Sequence, residues 1–511
     1  MPKPARGGTA VEALVGSASI LNPLFETNES TRDVDSLIFQ GLTTIDAQQN
    51  VVGVLASGWT VSPDHLTYTF DIRDDVKWAD GQPFGADDVL FTFHILQDLE
   101  YQQPGADGWR QVGVGAGGPN KVVFSLRAPD ASFPLSLRVG IIPEHIFAGM
   151  APDQIAASPF SGVRAFGTGP FKVGSINQLA ITLDRNPYAQ PQPYLDHLVL
   201  RTYPASDPQM AIRAVLSGAA DLVGGIQPQE VDTLEGRTDL TVHEARMFTD
   251  SFVTFNPDGD ARAFFSDPKV RQALVQAIDR QRIIQDVLAG KADADPNPIP
   301  TADWAYSAAA GTLHPYNTVA AAQALSQAGW TLDPSSKLRS KGGQFFKVTL
   351  VAADSYPNAQ VAQAISSQLS SLGVEVDVKP LPASKLLADY LLKHSYQMAL
   401  VSVDVGSDPD QYSLWHSGID PGSLNFAYTR GWGLIDKDLE DGRAALDPPA
   451  RLNAYLDFQM LIADAAPAIF LYAGRYEYAV SQRVHGVHFN KAIEPYDRFQ
   501  YVTDWYVNTT G

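Results

Sequence analysis

Cysteine is absent from all 511 residues. That removes disulfides, thiolate metal sites and a cysteine nucleophile together, and leaves the redox compartment open. Positive charge is scarce: 37 Lys and Arg stand against 57 Asp and Glu, a formal net charge of −20. The surrounding field is negative and no Lys/Arg-rich run could follow a phosphate backbone, so nucleic acid is not an expected partner. No uninterrupted apolar stretch of roughly 18 residues is present to span a bilayer. The opening Met1-Pro-Lys-Pro-Ala-Arg-Gly-Gly lacks the apolar segment of a secretory signal, which leaves a cytosolic chain or a trimmed one. Catalytic signatures are missing too: there is no H-E-x-x-H, no G-x-S-x-G and no paired-cysteine zinc spacing. The ten histidines are scattered without ligand spacing. No metal, cofactor or catalytic residue is expected.

What is present is enough chain for two to four domains, since single cores stop growing beyond about 250 to 300 residues. Hydrophobic residues at 45% and charged residues at 18% fit a soluble globular composition. Val51 to Arg73 reads as strand, turn, strand, with Leu66-Thr-Tyr-Thr-Phe-Asp-Ile-Arg73 alternating apolar and polar. Asp87 and Asp88 precede an apolar stripe of Val89, Leu90, Phe93 and Leu96, which predicts a helix with carboxylates at its positive end. Leu198 to Tyr203, a helix to Gly218 and Asp221-Leu-Val223 form a strand-helix-strand unit. Asp267 before Pro268 predicts a helix start, with Val270, Leu274 and Ile278 on one face and the helix running to about Leu288.

The clearest unit lies between residues 345 and 404. Phe346, Val348 and Leu350 alternate as a strand. Val361, Ile365, Leu369 and Leu372 make a helical stripe ending at Gly373, and Val374, Val376 and Val378 alternate again. A second helix with Leu386, Leu387, Tyr390 and Leu391 leads to the apolar run Met398 to Val401. This alternation predicts a parallel α/β sheet, in which ligands bind beyond the carboxyl ends of strands. Asp404, three residues past that run, stands where such a site would be.

Three glycine or serine patterns are set aside. Gly113, Gly115 and Gly118 match G-x-G-x-x-G without a strand-helix frame, so a flexible loop is expected. Gly167-Thr-Gly-Pro-Phe-Lys172 misses the phosphate-loop pattern and reads as a structural turn. Ser266-Asp-Pro-Lys269 has S-x-x-K spacing but no S-D-N or K-T-G partner, and is read as the helix start. No tandem repeat or clear linker emerges.

Several segments together resemble family 5 of the extracellular solute-binding proteins. They are Asn22-Pro-Leu-Phe25, Ile38-Phe-Gln-Gly-Leu42, Leu55-Ala-Ser-Gly-Trp59, Val76-Lys-Trp78, Asp80-Gly81, Ala86-Asp-Asp-Val89, Gly167 to Lys172, Arg185-Asn186, Asp267-Pro-Lys-Val-Arg-Gln-Ala-Leu274, Ala277-Ile-Asp-Arg280, Asp408-Pro-Asp410, Trp415-His-Ser417, Ala466-Pro467 and Val484-His-Gly-Val487. The resemblance implies an α/β, two-lobed periplasmic-binding-protein fold of type II, with an extra domain inserted in the N-terminal lobe. Mapped onto this chain, the first lobe takes residues 9–45, 165–252 and 478–511, the inserted domain 46–164 and the second lobe 253–477. It further implies an extracytoplasmic protein, free in a periplasm or held at the outer face of the membrane by a lipidated cysteine absent from this sequence. Such a protein acts as a monomer that captures an oligopeptide or other small polar ligand and passes it to an ABC permease.

Residue roles follow from the same resemblance. Asp404 is expected to pair with a ligand ammonium, against the alternative that it shapes its own turn. Ser402, two residues earlier, would offer backbone groups to the ligand. Asp408 is a further candidate, set against shaping the turn before Pro409. Trp415 and Trp432 are candidate stacking platforms, set against core packing, and Asn28 and Glu29 candidate contacts from the first lobe, set against helix capping. One departure stands out. Ala353-Asp354-Ser355-Tyr356 occupies the region where some relatives place an arginine for a peptide carboxylate. Longer peptides or an uncharged ligand such as an oligosaccharide meet that objection, and a hydrolase has no support in the sequence.

Overall fold

A computed structural model of the chain describes residues 3–26, 28–418, 423–427, 432–489, 491–492 and 494–510. Its contacts separate into two units, Met1–Ala245 with Tyr476–Gly511, and Arg246–Arg475.

In the first unit, strand β1, Thr9–Val15, is followed by helix α1, Glu29–Ile38. The strand-turn-strand expected next forms as β2, Ala56–Val61, and β3, Thr67–Ile72, paired antiparallel. Helix α2, Ala86–Gln97, follows. The Asp88 carboxylate at its start accepts from the Gly85 N–H at 3.0 Å, the Glu144 N–H at 2.9 Å and the Trp78 indole at 3.2 Å. The glycine-rich segment expected to be a loop is instead strand β4, Gly113–Gly118, hairpinned onto β5, Lys121–Ser125. The pairing supplies backbone hydrogen bonds that a composition-based reading does not see. These four strands make one antiparallel sheet, and Phe70, Phe93 and Phe124 pack edge to face beside it.

Beyond it come β6, Phe171–Ile176, β7, Ala180–Arg185, β8, His197–Tyr203, and β9, Leu222–Gly224. β8 and β9 flank β1 in parallel, and β7 and β6 extend the sheet antiparallel. The turn Gly167-Thr-Gly is needed because the chain meets the end of α1. The Gly169 N–H donates to the Ile38 carbonyl at 2.8 Å, and a Cβ on Gly169 would lie 2.6 Å from that oxygen.

The second unit holds β10, Thr249–Phe255, helices α3, Pro268–Gln276, and α4, Arg280–Leu288, then β11, Lys347–Ala353, α5, Asn358–Ser370, β12, Glu375–Leu381, β13, Met398–Asp404, and β14, Ala468–Ser481. The last residues of β14 belong to the first unit. The strand order is β12-β11-β13-β10-β14. β12, β11 and β13 run parallel, and β10 is antiparallel to both of its neighbours. The single helix expected from Pro268 to Leu288 is in fact two. Asp279 interrupts it as a second cap, its carboxylate accepting from the Arg282 N–H at 3.0 Å. One face of the sheet packs on α3, α4 and α5 through Val253, Leu274, Ile284 and Ile365. The other packs on an aromatic cluster containing Phe252, Trp415, Phe426 and Phe470.

Candidate ligand-binding site

The carboxyl end of β13 has a strand on one side only. β10 pairs with it along its whole length, from Phe255↔Met398 to Thr249↔Asp404. β11 pairs with it only at Leu350↔Met398 and Val351↔Ala399. Residues 400–404 therefore present one backbone edge that, among the described residues, no strand of the sheet covers. Main-chain groups on such an edge alternate in direction every residue, which suits an extended chain laid alongside.

Side chains at this end sort by the two-residue period of a strand. Val401 and Phe252 point to the aromatic cluster. On the opposite face, the Ser402 and Ser251 hydroxyls lie 2.9 Å apart, and Ser402 Oγ reaches Asn358 Oδ1 at 3.5 Å, at the start of α5. Ser251 is in turn hydrogen-bonded to the Tyr472 hydroxyl, whose pKa burial pushes up to about 12, so that group stays uncharged. Asp404 shares the strand face of Ser402 and is exposed beside its cross-strand neighbour Thr249. The result is a line of neutral hydrogen-bonding groups with one carboxylate at its end. Residues 353–356 add no cation, and the Tyr356 hydroxyl donates to the Val287 carbonyl at 2.7 Å.

Behind this strip lies a buried acidic pair. Asp250 is 1% exposed and Asp295 0%. Burial drives both carboxyls well above the usual carboxylate range, and the charge of Asp295 raises Asp250 further. Each keeps one oxygen, Oδ1, without a hydrogen-bond partner among the described residues. The Arg280 guanidinium, itself lowered to about 10 by burial, offsets Asp295.

Of the residues expected from sequence, the structure brings Ser402 and Asp404 together at this edge. Asp408 is instead clamped by Arg451 in a two-pronged ion pair of 2.8 and 2.6 Å, and it accepts from the Asp410 N–H, so it holds the following turn. Trp415 and Trp432 are 1% and 4% exposed and stack on each other within the aromatic cluster. Their faces are occupied by packing, and the stacking-platform expectation is not carried forward. Asn28, in the first unit, caps α1: its Oδ1 accepts from the Thr31 N–H at 2.9 Å, and Glu29 occupies the first turn. Sequence reasoning missed Ser251, Asn358 and Tyr472. The run Thr249-Asp-Ser-Phe-Val-Thr-Phe255, three polar residues leading into a β-branched and aromatic stretch, is the available signal for Ser251.

Among the described residues no group of three or more His, Asp or Glu could hold a metal ion, and no helix is long and apolar enough to cross a membrane.

A profile of the bacterial extracellular solute-binding proteins, family 5, matches residues 50–423. The chain belongs to this family, and its α/β fold is the one expected. It is 25% identical over 503 residues to the oligopeptide-binding protein AppA of Bacillus subtilis strain 168, covering 97% of this chain and 91% of that one. The structure of Bacillus subtilis AppA in complex with a nonapeptide superposes with a TM-score of 0.79, at 24% identity, covering 99% of this chain and 100% of the other. A Brucella ovis protein provisionally named as an ABC transporter peptide-binding protein is 31% identical over 448 residues, 85% of this chain and 81% of its own. Campylobacter jejuni NikZ, solved with Ni(L-His), matches with a TM-score of 0.78 at 23% identity, over 98% of this chain and 99% of that one.

Proposed function

We propose that this chain is the extracytoplasmic binding component of an ABC importer, which captures an oligopeptide as an added strand along residues 400–404 and delivers it to a membrane permease. The observation that carries this reading is the uncovered edge of β13, ending at Asp404. Backbone groups of 400–404 supply sequence-independent hydrogen bonds, Ser402 and Asn358 supply neutral ones, and Asp404 receives the ligand ammonium. The name of AppA and the nonapeptide in its structure support a peptide ligand. The chain performs no chemistry on its ligand and works as a monomer. Its first lobe comprises residues 9–45, 165–252 and 478–511, its inserted domain 46–164 and its second lobe 253–477.

The test is calorimetric titration with alanine-rich peptides of three to nine residues, each with a free or an acetylated amino terminus. Free-amine peptides are expected to bind at least about tenfold more tightly than acetylated ones, and Asp404→Asn to abolish that difference. Equal affinity for the two sets would remove Asp404 from the role.

A second reading, an oligosaccharide or other uncharged solute, is favoured by the lack of a cation at residues 353–356 and by the neutral Tyr472–Ser251–Ser402–Asn358 line. Binding of malto-oligosaccharides with no response to any peptide would establish it.

A further inference from the structure

The first unit contains a cavity of about 410 Å³ against one side of α1, a volume within the range of small-molecule sites. Its wall includes Glu26, Arg32, Asp35, Phe39, Arg138 and Val139, so acidic groups stand beside an apolar surface. Asp35 is 2% exposed. Neither of its carboxylate oxygens accepts a well-formed hydrogen bond among the described residues, the Asn22 N–H only approaching it. Arg32, one helical turn earlier, does not supply the missing partner: its Nε is itself buried without a hydrogen-bond partner, and no ion pair joins the two side chains. Arg138 is committed to Asp497 at 2.5 Å. With every group ionised, Glu26, Asp35 and Asp497 against Arg32 and Arg138 leave one negative charge in excess.

We propose that this cavity is a second binding site, taking a small primary amine whose ammonium is held by Asp35 and Glu26 and whose alkyl part lies along Phe39 and Val139. An ammonium carries three N–H donors and one positive charge. It matches a wall backed by two buried, unpartnered Asp35 oxygens, with a second carboxyl and a net charge of minus one. A buried carboxylate without a partner is costly, and without a cation such a group takes up a proton instead. Burial raises Asp35 well above the carboxylate range and Glu26 to about 7, so amine binding near neutral pH displaces protons from this pair. The site shares no residue with the edge of β13, and it stands or falls separately from the importer reading.

The experiment is calorimetric titration of the full chain with n-butylamine near pH 7, in two buffers of different ionisation enthalpy, with n-butanol as the uncharged control. One amine is expected to bind per chain with proton release to buffer, n-butanol to give no heat, and Asp404→Asn to leave amine binding unchanged. Asp35→Asn, nearly the same shape, is expected to weaken amine binding at least tenfold while the affinity for peptide stays as in the parent chain. Should Asp35→Asn fail to fold, Glu26→Gln serves, with a smaller loss of affinity and fewer protons released. The proposal is overturned if the parent chain gives no heat at millimolar amine, if butanol binds equally, or if amine binding survives Asp35→Asn undiminished.

Discussion

Arg498 joins two buried carboxylates of the first unit, Glu12 and Asp33. Glu12, on the fully flanked strand β1, accepts from Arg498 Nε at 2.9 Å and from the Tyr478 hydroxyl at 2.6 Å. The same guanidinium grips both oxygens of Asp33 at 2.7 Å. Replacing Arg498 by Met leaves two carboxylates without their cation, and removing one partner of a buried pair costs about 3 to 5 kcal/mol. The expected result is a loss of that order in the denaturant-induced transition of the first unit. Glu26 behaves differently, because burial raises its carboxyl to about 7, above its ordinary 4.5. The native state then binds this proton more tightly than the unfolded chain. Its contribution is complete below about pH 4.5 and is lost as pH rises through about 7. Thermal midpoints measured from pH 4 to 8 should show a decline that Glu26→Gln flattens. At this scale the sequence placed Asp404 at a strand end, because the apolar run Met398 to Val401 just before it reads as a strand. It concealed Ser251 and Asn358, which meet Ser402 from 151 and 44 residues away. Local pattern carries no information on such pairings.

Elements were legible where one face is apolar and the ends carry their own stop signals. β11, α5 and β12 fall where alternation and the four-residue stripe place them, because this parallel unit is built from near neighbours. The α3–α4 pair shows the limit. Val270, Leu274 and Ile278 keep helical spacing across the break, so periodicity alone fuses two helices, and the break lies in Asp279 turning its side chain onto the Arg282 N–H. Asp279→Ala is expected to destabilise the second unit by about 1 kcal/mol through loss of this cap. Asp279→Asn, which can accept the same bond, should recover most of it, as read by denaturant midpoints. β4 was illegible for the opposite reason. Its glycines carry no side-chain signal, and only pairing with β5 makes them a strand.

For the whole molecule, the division into Met1–Ala245 with Tyr476–Gly511 and Arg246–Arg475 means that unfolding need not be a single transition, and each unit's midpoint is to be followed separately. A peptide present at a hundred times its dissociation constant is expected to stabilise the liganded state by about 2.7 kcal/mol. Scanning calorimetry should show the corresponding rise in midpoint for the parent chain and a smaller one for Asp404→Asn at the same peptide concentration. The uncovered edge of β13 has a further consequence for the empty protein. A row of main-chain groups that can receive a ligand strand can equally receive the same row from another copy, the usual route from an open sheet to aggregation. Val401 and Val403 are β-branched and favour such pairing, whereas Asp404 sets like charge against like when two edges meet. The residue proposed to greet the ligand thus also guards the vacant protein. In light scattering of concentrated, ligand-free samples, Asp404→Asn should associate more readily than the parent chain, and added peptide should reverse the difference.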